Sequence, residues 1–456
     1  MMTRRTLLSL PLAAAAQQRA PSQGRAGTPN VVVLLADDLG WADVGYHGGE
    51  IRTPNIDKLS REGMQLDRFY SCPVCSPTRS ALMTGRWPMR LGTGYTVVRP
   101  WEDYGLPLEE HLMPQSFHAA GYQTAMAGKW HLGHQRRAFF PGARGFDSSY
   151  GHFNGAIDYF THDREGGLDW HRDGKTLEEK GYSTELIGAE AVRRIKSRDK
   201  SRPFLLYVPF NAPHSPLQAP QALIDRYAGV KDEKRRVFSA MVDSMDQQVG
   251  AILGALDQEA IARDTIVLFF SDNGGPTNLG ARNTPLRGAK ASVFEGGIRV
   301  PAVLRWPGRV EAGSKSTQVM AAWDAFPTLA AAAGIKPAGK LPLDGVNLWA
   351  QIQGGSRTPR EDIFFAIQNN VHLQHCLISR EWKLIRDGES KHMLFNVEQD
   401  PTEKNDLAQA HPERVRELSA RIDDWRKLAP PYGMKASTSP PASWKAPKRW
   451  ADDAPR

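Results

Sequence analysis

Three uninterrupted apolar runs limit the folds that this 456-residue chain can adopt. They are Asn30–Ala36, residues 204–208 and Thr265–Ser271. A strand that is apolar at every position must be covered on both faces, which is typical of a parallel sheet with helices packed on each side. Stretches with helical periodicity alternate with these runs, at residues 108–120, 184–197 and 233–257. The alternation predicts an α/β fold with a large, mostly parallel sheet sandwiched by helices.

The pattern changes after about residue 345. Two strand-like segments, 381–386 and 393–397, flank Asp387-Gly388, a pair that favours a hairpin turn. A helical pattern follows at residues 411–428, with an apolar stripe formed by Val415, Leu418, Ile422 and Trp425. These features indicate a smaller α+β unit after the main domain.

The chain therefore divides into four predicted segments. They are a signal peptide at 1–25, the main domain at 26–345, a C-terminal α+β subdomain at 346–430 and a proline-rich tail at 431–456. The tail lacks hydrophobic periodicity, so we expect it either to be disordered or to lie along the surface.

The N-terminus has the layout of a secretory signal. A basic start precedes an apolar stretch at 6–16, and Ala14 to Ala16 offer an A-x-A cleavage site. Arg4-Arg5 favours twin-arginine export, and a general secretory signal with two chance arginines is the alternative. We expect an exported protein, periplasmic or secreted. No other apolar run approaches the ~20 residues of a membrane span.

The charge of the chain indicates which partners it can bind, and its cysteine content indicates whether disulfides hold the fold. The 58 basic and 50 acidic residues give a formal net charge of +8, without a long Lys/Arg run. This argues against a nucleic-acid partner and is either diffuse surface charge or a modest field that favours an anionic substrate. The three cysteines are Cys72, Cys75 and the distant Cys376, so the sequence predicts no disulfide framework.

Oxygen ligands follow two of the predicted strands. Asp37-Asp38 comes directly after the first apolar run, and Asp272-Asn273 comes after Ser271. Ligands bind at the carboxyl ends of strands in open parallel sheets. Adjacent carboxylates raise each other's pKa unless a cation is near, and an all-oxygen set suits calcium or magnesium. Helix capping by one aspartate, with the other solvated, is the alternative.

Cations and histidines follow other strands. Lys129 and His131 end one strand pattern, His214 lies in a proline-bracketed loop, and Lys290 lies in a glycine-rich turn. Each of these residues alone is typical of a solvated lysine or a hydrogen-bonded loop histidine. Their recurrence at strand ends favours a shared site.

The stretch SCPVCSPTRSALMTGRW carries a candidate nucleophile. Pro77 suits the first turn of a helix, Ser76 is a candidate N-cap and Gly85 a candidate C-terminal residue. Cys75 then lies at a helix N-terminus, which favours an anion, and Arg79 follows within one turn. With the metal ligands, lysines and histidines, this set describes a site for a sulfate or phosphate ester. The Cys72-Pro-Val-Cys75 spacing leaves a dithiol redox pair as an alternative.

Several motifs resemble those of the sulfatase family. Cys75-Ser-Pro-Thr-Arg79 followed by Thr84-Gly-Arg86 is similar to the first sulfatase signature, and residues 121–133 are similar to the second. Further likeness lies at Arg287-Gly-Ala-Lys290, residues 295–301 and residues 394–408.

The resemblance implies an alkaline-phosphatase-like fold and a sulfuric ester hydrolase. It implies that a maturation enzyme oxidises Cys75 to Cα-formylglycine, whose hydrated gem-diol attacks sulfur. Asp37, Asp38, Asp272 and Asn273 would bind one Ca²⁺, completed by the modified Cys75. Arg79 and Lys129 would position the formylglycine, and His131 would accept a proton when the sulfate adduct collapses. His214 and Lys290 would bind sulfate, one or both assisting the leaving oxygen.

Within the family, residues 105–133, 144–147 and 158–160 most resemble the N-acetylgalactosamine-4-sulfatase branch. This resemblance implies a substrate with a 4-O-sulfated galactose-type sugar, and it implies that aryl sulfates are also cleaved. Candidate sugar contacts are Trp101, His134, Asp158 and His162. A phosphodiesterase or phosphonate monoester hydrolase with the same nucleophile is the main alternative, and a non-catalytic sugar-binding relative is another.

Overall fold

The computed structural model describes residues 27–368, 373–431, 433 and 439–455. The predicted signal peptide at 1–25 lies outside the described residues. None of the helices in these ranges is long and apolar enough to cross a membrane.

The strands of the described ranges, in chain order, are β1 (Asn30–Ala36), β2 (Met64–Leu66), β3 (Phe69–Tyr70), β4 (Gln123–Lys129), β5 (Ser148–His152), β6 (Asp163–Arg164), β7 (Gly167–Leu168), β8 (His171–Arg172), β9 (Lys175–Thr176), β10 (Phe204–Pro209), β11 (Thr265–Ser271), β12 (Ala302–Arg305), β13 (Ser314–Ser316), β14 (Met320–Ala321), β15 (Ile363–Gln368), β16 (Leu373–Ser379), β17 (Trp382–Asp387) and β18 (Lys391–Asn396).

The α-helices are α1 (Pro54–Glu62), α2 (Cys75–Thr84), α3 (Met113–Ala119), α4 (Ser183–Lys196), α5 (Gln221–Asp225), α6 (Glu233–Gln258), α7 (Glu295–Ile298), α8 (Ala322–Ala332), α9 (Trp349–Ile352) and α10 (Pro412–Arg426).

A ten-stranded sheet forms the centre of the molecule, in the order β13-β2-β12-β11-β1-β10-β4-β5-β8-β9. Its middle strands, from β11 to β5, pair in parallel. The three apolar runs are the neighbours β11, β1 and β10, so their carboxyl ends meet at one edge of the sheet.

Helices cover both faces of this sheet, as predicted. Val31, Val33 and Leu35 of β1 pack into a core that includes α2 and α8. Val32 and Leu34 point to the opposite core, which includes α4 and α6. The two-residue period of a strand thus explains why every position of β1 is apolar. The α/β prediction, with an alkaline-phosphatase-like architecture, is confirmed.

The C-terminal sheet is antiparallel, in the order β15-β16-β17-β18. One face packs against Tyr70 and Trp323 of the main domain through side chains such as Phe365 and Ile385. The other face is covered by residues of α10, namely Leu418, Ile422 and Trp425. The predicted hairpin forms, but Asp387 still belongs to β17 and pairs with Lys391. The turn therefore spans 388–390, with Gly388 in the left-handed region at φ 67°.

The helix predicted at 108–120 is shorter than expected. It begins at Met113, because Pro114 occupies its first turn and the segment before it is irregular. Leu108, counted as part of the apolar pattern, is 57% exposed.

The described part of the tail, 439–455, lies along the surface of the protein. Trp450 is only 2% exposed and packs into the main core. Its indole N–H donates to the Arg164 carbonyl at 3.1 Å. Of the two predicted alternatives, disorder or a course along the surface, these residues follow the second.

Candidate active site

The sheet edge gathers the polar residues that follow the central strands. Asp37 and Asp38 follow β1, Asp272 and Asn273 follow β11, and Lys129 ends β4. The Asp38 backbone N–H donates to Asp272 Oδ1 at 3.3 Å, and the Asn273 amide donates to Asp38 Oδ1 at 2.7 Å. The predicted convergence at the strand ends is therefore seen in the structure.

Cys75 is the first residue of α2 and is buried. Its Sγ donates to Asp37 Oδ1 at 3.4 Å and lies 3.7 Å from Lys290 Nζ. Gly85 ends the helix with φ 67°, as predicted. The N-cap prediction is wrong, because Val74 holds that position without a side-chain hydrogen bond.

The Ser76 hydroxyl does not cap α2 but forms hydrogen bonds with two loops. Its hydroxyl donates to the His131 carbonyl and accepts from the Val98 N–H, each at 3.0 Å. It therefore joins the start of α2 to the loops that carry Val98 and His131. This role depends on residues far apart in sequence, so the local pattern around Ser76 does not show it.

Three carboxylates and three cations form what we call the strand-end cluster. The pairs are Lys129–Asp37 at 2.6 Å, Lys290–Asp38 at 2.6 Å and Arg79–Asp272 at 2.8 Å. Arg79 also donates to the Lys129 carbonyl at 2.9 Å, which ties α2 to the end of β4.

Burial sets the charge states within the cluster. Burial alone would raise the pKa of Asp38, but the charge and hydrogen bonds of Lys290 hold it well below its usual value. Burial and the neighbouring Asp37 raise the pKa of Asp272 to about 6. Burial, and then Asp272, raise the pKa of the Cys75 thiol well above its usual range. An unmodified Cys75 is therefore a protonated thiol and a poor nucleophile.

The two histidines are held as neutral tautomers. Burial, and then nearby cations, lower the pKa of His131 well below its usual value and that of His214 to about 3. His131 Nε2 lies 2.9 Å from the Val98 carbonyl, and His214 Nδ1 lies 2.6 Å from the Ser215 carbonyl. Because a carbonyl only accepts, these nitrogens carry the protons and the opposite ring nitrogens keep their lone pairs.

The free ring nitrogen of His214 lies in the site, and that of His131 lies in the buried interior. His214 Nε2 is 3.7 Å from Asp38 Oδ2. His131 Nδ1 is buried and has no hydrogen-bond partner in the described part of the chain. Each histidine can therefore accept a proton at that nitrogen.

The residues fit a hard cation. Ligand atoms of Asp37, Asp38, Cys75 and His214 lie within 4.8 Å of one another. Asn273 Oδ1 is a buried amide oxygen without a hydrogen-bond partner among residues 27–368, 373–431, 433 and 439–455. A cation held by Asp37 and Asp38 would satisfy this oxygen, and carboxylate and amide oxygens suit Ca²⁺. The predicted ligand Asp272, whose Oδ2 accepts from Arg79 at 2.8 Å, is not part of this group of converging atoms.

The cysteine pair does not have the features of a redox site. Cys72 and Cys75 are both buried free thiols. Cys72 packs in an apolar cluster, and burial raises its pKa to about 12. Reactive dithiols need a lowered pKa and access to solvent, so the C-x-x-C spacing is not explained by redox chemistry.

Sequence reasoning missed two residues that support the site. The Tyr159 hydroxyl reaches the carbonyls of Asn211 and His214, at 2.6 and 2.7 Å, and braces the loop that carries His214. The Thr78 hydroxyl donates to the Asp272 carbonyl at 2.6 Å. The only sequence signal for either was its position, since Thr78 lies inside the Cys75–Arg79 motif and Tyr159 lies beside Asp158.

The four residues predicted as candidate sugar contacts each contact other parts of the protein. His134 and His162 are buried, at 2% and 0% exposure, and each bonds a backbone carbonyl, so neither is available to a sugar at the surface. Asp158 is bonded by Gln218 at 2.6 Å, and Trp101 lies beside Trp444 of the tail. These contacts are structural, and the four residues gain no support as direct sugar ligands.

Comparison with known proteins gives consistent matches. A family model described as "Sulfatase" matches residues 29–335, and one described as "N-sulphoglucosamine sulphohydrolase, C-terminal" matches residues 289–427. Arylsulfatase J of Mus musculus is 33% identical over 467 residues, covering 90% of this chain and 78% of that protein. N-acetylgalactosamine-6-sulfatase of Canis lupus familiaris is 36% identical over 372 residues, covering 75% and 70%.

A solved structure is also similar over most of its length. The structure of Ps i-CgsB in complex with k-i-k-neocarrahexaose aligns with a TM-score of 0.84 and 31% identity. The alignment covers 90% of this chain and 95% of that chain. The similarity therefore includes both the central sheet and the C-terminal sheet.

Proposed function

Because the chain belongs to the sulfatase family of sulfuric ester hydrolases, we propose that it removes sulfate from a sulfated carbohydrate and from aryl sulfates. One observation carries the proposal: Cys75 begins α2 within a buried cluster of three carboxylates and three cations. A tetrahedral anion needs positive charge around it and a nucleophile beside it, and this cluster contains both.

We propose that Cys75 acts as Cα-formylglycine, made by a separate maturation enzyme, and that its hydrated aldehyde supplies an oxygen nucleophile. The protonated state of the buried thiol supports the proposal, because an unmodified Cys75 would attack poorly. The Asp37 carboxylate, 3.4 Å from Sγ, is placed to accept a proton from a donor on this side chain.

The cations would stabilise the anionic substrate. Lys290 lies near both Asp38 and Cys75, and its side chain is 19% exposed, so it can meet a sulfate that enters from solvent. Lys129 and Arg79 are fully buried and bind Asp37 and Asp272. They therefore orient the carboxylates and offset negative charge as it develops.

The histidines would bind the ester and move a proton. His214 keeps a lone pair at Nε2 beside Asp38 and is 18% exposed. Because its lowered pKa keeps it neutral, it binds the sulfate ester as a neutral ring, and the ammonium of Lys290 is the group that can donate to the leaving oxygen. His131 keeps a lone pair at the buried Nδ1 and can accept a proton as sulfate is released.

Asp37, Asp38, Asp272 and Asn273 would hold one Ca²⁺, with the modified side chain of Cys75 completing the set. The convergence of Asp37, Asp38 and Cys75 and the buried Asn273 Oδ1 support this assignment, and Asp272 would contribute from its ion pair with Arg79. A bound cation would polarise sulfate oxygens and favour an ionised nucleophile. The resident lysines and arginine then supply the remaining positive charge.

The substrate is proposed to be a sulfated sugar of the galactose type. The sequence motifs favour a 4-O-sulfate, whereas N-acetylgalactosamine-6-sulfatase is named for a 6-sulfate and Ps i-CgsB was solved with a neocarrahexaose. Which sulfate ester is cleaved is therefore tested by comparing hydrolysis of 4-sulfated and 6-sulfated galactose units. We also propose that residues 1–25 direct export to the periplasm or the medium, by the twin-arginine route.

The test is turnover of 4-nitrophenyl sulfate compared with 4-nitrophenyl phosphate and phosphonate esters by purified, matured protein. We expect kcat/KM for the sulfate to exceed both others by at least about 100-fold, equivalent to about 3 kcal/mol of preferential transition-state binding. A preference for a phosphate diester or a phosphonate would favour the phosphodiesterase or phosphonate hydrolase alternative and overturn the proposal.

A further inference from the structure

The tail carries an aromatic and basic segment that the proposed chemistry does not use. It reads Trp444-Lys-Ala-Pro-Lys-Arg-Trp450, two tryptophans around three cations. Leu168 exchanges backbone hydrogen bonds with Lys448 and Trp450, at 2.9 and 3.1 Å. The segment is therefore fixed against β7 rather than free, and its side chains have defined positions.

One loop joins this segment to the candidate active site. Val98 binds Ser76 and His131 through its backbone, as described above. Two residues later, the Pro100 carbonyl accepts from His134 Nε2 and Gln135 Nε2, each at 3.0 Å. The next residue, Trp101, packs edge-to-face against Trp444 with ring centroids 6.1 Å apart. The tail thus lies against the loop that also contacts the helix of Cys75.

A cavity of about 170 Å³ lies between the tail and residues 134–135, whose side chains bond the Pro100 carbonyl of this loop. Its lining includes Gln135, Trp444, Lys445 and Trp450, with the buried His134 ring bordering it. Asp453 also lines the cavity, and its carboxylate accepts from the Arg449 backbone N–H at 2.9 Å. His134 packs edge-on against Trp450 at 5.1 Å. A few polar groups among aromatic rings are typical of small-ligand sites, and tryptophan offers a flat apolar face with a polar edge.

The exposed cations of the segment indicate the charge of a ligand. Lys445 and Lys448 are exposed, and within the described ranges neither forms an ion pair with a carboxylate. Arg449, by contrast, pairs with Glu178 at 2.6 Å. Unpaired cations beside aromatic rings complement an anionic sugar better than a neutral one.

We propose that this cavity and Lys445 form a subsite for a second, anionic sugar unit of the substrate, next to the unit whose sulfate is removed. The inference rests on the proposed sulfatase function and extends it to the substrate's size and charge. The chain therefore prefers a sulfated oligosaccharide over an isolated aryl sulfate.

The test compares kcat/KM for two classes of substrate in wild-type protein and three variants. The small substrate is 4-nitrophenyl sulfate, and the large ones are k-i-k-neocarrahexaose and a chondroitin 6-sulfate hexasaccharide. The variants are Trp444→Ala, Lys445→Gln and, as a control, Lys427→Gln. Lys427 is 75% exposed on α10, which packs on the outer face of the C-terminal sheet.

The ratio of hexasaccharide to aryl sulfate kcat/KM should fall about tenfold in Trp444→Ala, for the loss of an aromatic contact. It should fall about threefold in Lys445→Gln, as expected for one exposed charge contact. The control should keep the wild-type ratio. Added salt should lower the ratio for wild-type protein more than for Lys445→Gln.

Two results would overturn the subsite. One is an unchanged ratio in Lys445→Gln and Trp444→Ala, and the other is wild-type protein that hydrolyses the aryl sulfate but neither hexasaccharide more efficiently. If Trp444→Ala unfolds, Lys445→Gln alone decides, because its exposed side chain does not hold the tail. Wild-type protein that releases no sulfate from any substrate would instead contradict the proposed function.

Discussion

Two buried clusters of charge lie in this protein, and they differ in what surrounds them. The strand-end cluster lies at the carboxyl edge of the central sheet, beside Cys75. The other, which we call the brace cluster, consists of Glu295, Lys383 and Glu403. Lys383 Nζ lies 2.9 Å from Glu295 and 2.8 Å from Glu403. It joins the main domain to β17 of the C-terminal sheet.

Both clusters place carboxylates and cations inside the protein, but they differ in how far solvent reaches their side chains. The side chains of Glu295, Lys383 and Glu403 are all 0% exposed. In the strand-end cluster, Lys290 is 19% exposed and the neighbouring His214 is 18% exposed. Buried opposite charges alone therefore do not identify an active site. Access for a substrate and a nucleophile within reach separate the two.

The largest contrast is expected between two buried cysteines, one beside each cluster. Cys75 contacts the strand-end cluster, and Cys376 lies in β16 close to Lys383. Cys75→Ala should lower sulfate release on the order of 10⁴-fold or more, because the nucleophile is lost, with little change in Tm. Cys376→Ala should keep most activity but lower the free energy of unfolding by about 1 kcal/mol.

Cys72→Ala is the control within the same motif and should retain most sulfate release. Assays of activity and thermal unfolding on the three variants distinguish the roles. Comparable activity losses in Cys72→Ala and Cys75→Ala would revive the redox pair.

The next contrast removes one cation from each cluster. Lys383→Met leaves Glu403 buried without its lysine partner and Glu295 with only Arg299, 3.6 Å away, and should cost about 3–5 kcal/mol of stability. Lys290→Met should cost less stability, because its site is partly open, but should lower kcat/KM by about 100-fold. Urea unfolding and kinetics measure the two effects. A larger loss of stability in Lys290→Met than in Lys383→Met would contradict the comparison.

A calcium titration tests whether the strand-end cluster binds the ion. Ca²⁺ at about 100 times its Kd should stabilise wild-type protein by about 3 kcal/mol, measured as a rise in Tm. Asp38→Asn should remove most of this rise, whereas Asp424→Asn, on the exposed face of α10, should keep it. The same rise in Asp38→Asn as in wild-type protein would place the ion elsewhere.

The smallest effect concerns a buried carboxylate that forms no ion pair within the part of the chain that the structure describes. Asp246 accepts hydrogen bonds from the backbone N–H groups of Asn55 and Ile56 and from the Asn55 amide, at 2.7–3.1 Å. Burial raises the pKa of Asp246 from 3.8 to about 6. The folded protein therefore binds the proton more tightly than the unfolded chain does, and stability is lost as pH rises from about 4 to about 6.

Asp246→Asn should remove this part of the pH dependence, about 2 kcal/mol between pH 4 and pH 6. The measurement is the difference in unfolding free energy between the variant and wild-type protein across that range. A difference that does not change with pH would show that Asp246 does not titrate there.

The sequence was sufficient for the strand ends because their signals are local. Apolar runs followed by Asp37-Asp38 and Asp272-Asn273 define both the strand and its polar end within a few residues. The parallel arrangement then requires these ends to meet, and the structure agrees.

Other side-chain contacts join residues that are far apart in sequence, so the local sequence pattern could not predict them. Ser76 resembles an N-cap in sequence, but its hydroxyl is used by Val98 and His131. Lys383 and Glu295 are 88 residues apart, so nothing in either segment indicates the brace cluster. Trp450 lies in a segment without periodicity, yet it is anchored by the Arg164 carbonyl. Tertiary contacts decide all three.

The most direct test of the account is mass spectrometry of the tryptic peptide from Phe69 to Arg79, taken from active protein after thiol alkylation. This peptide contains both Cys72 and Cys75. We predict one alkylated cysteine, at Cys72, and a residue at position 75 that is lighter than cysteine by the mass of H₂S minus one oxygen atom. Fully active protein in which both positions are alkylated cysteines would contradict the proposed nucleophile.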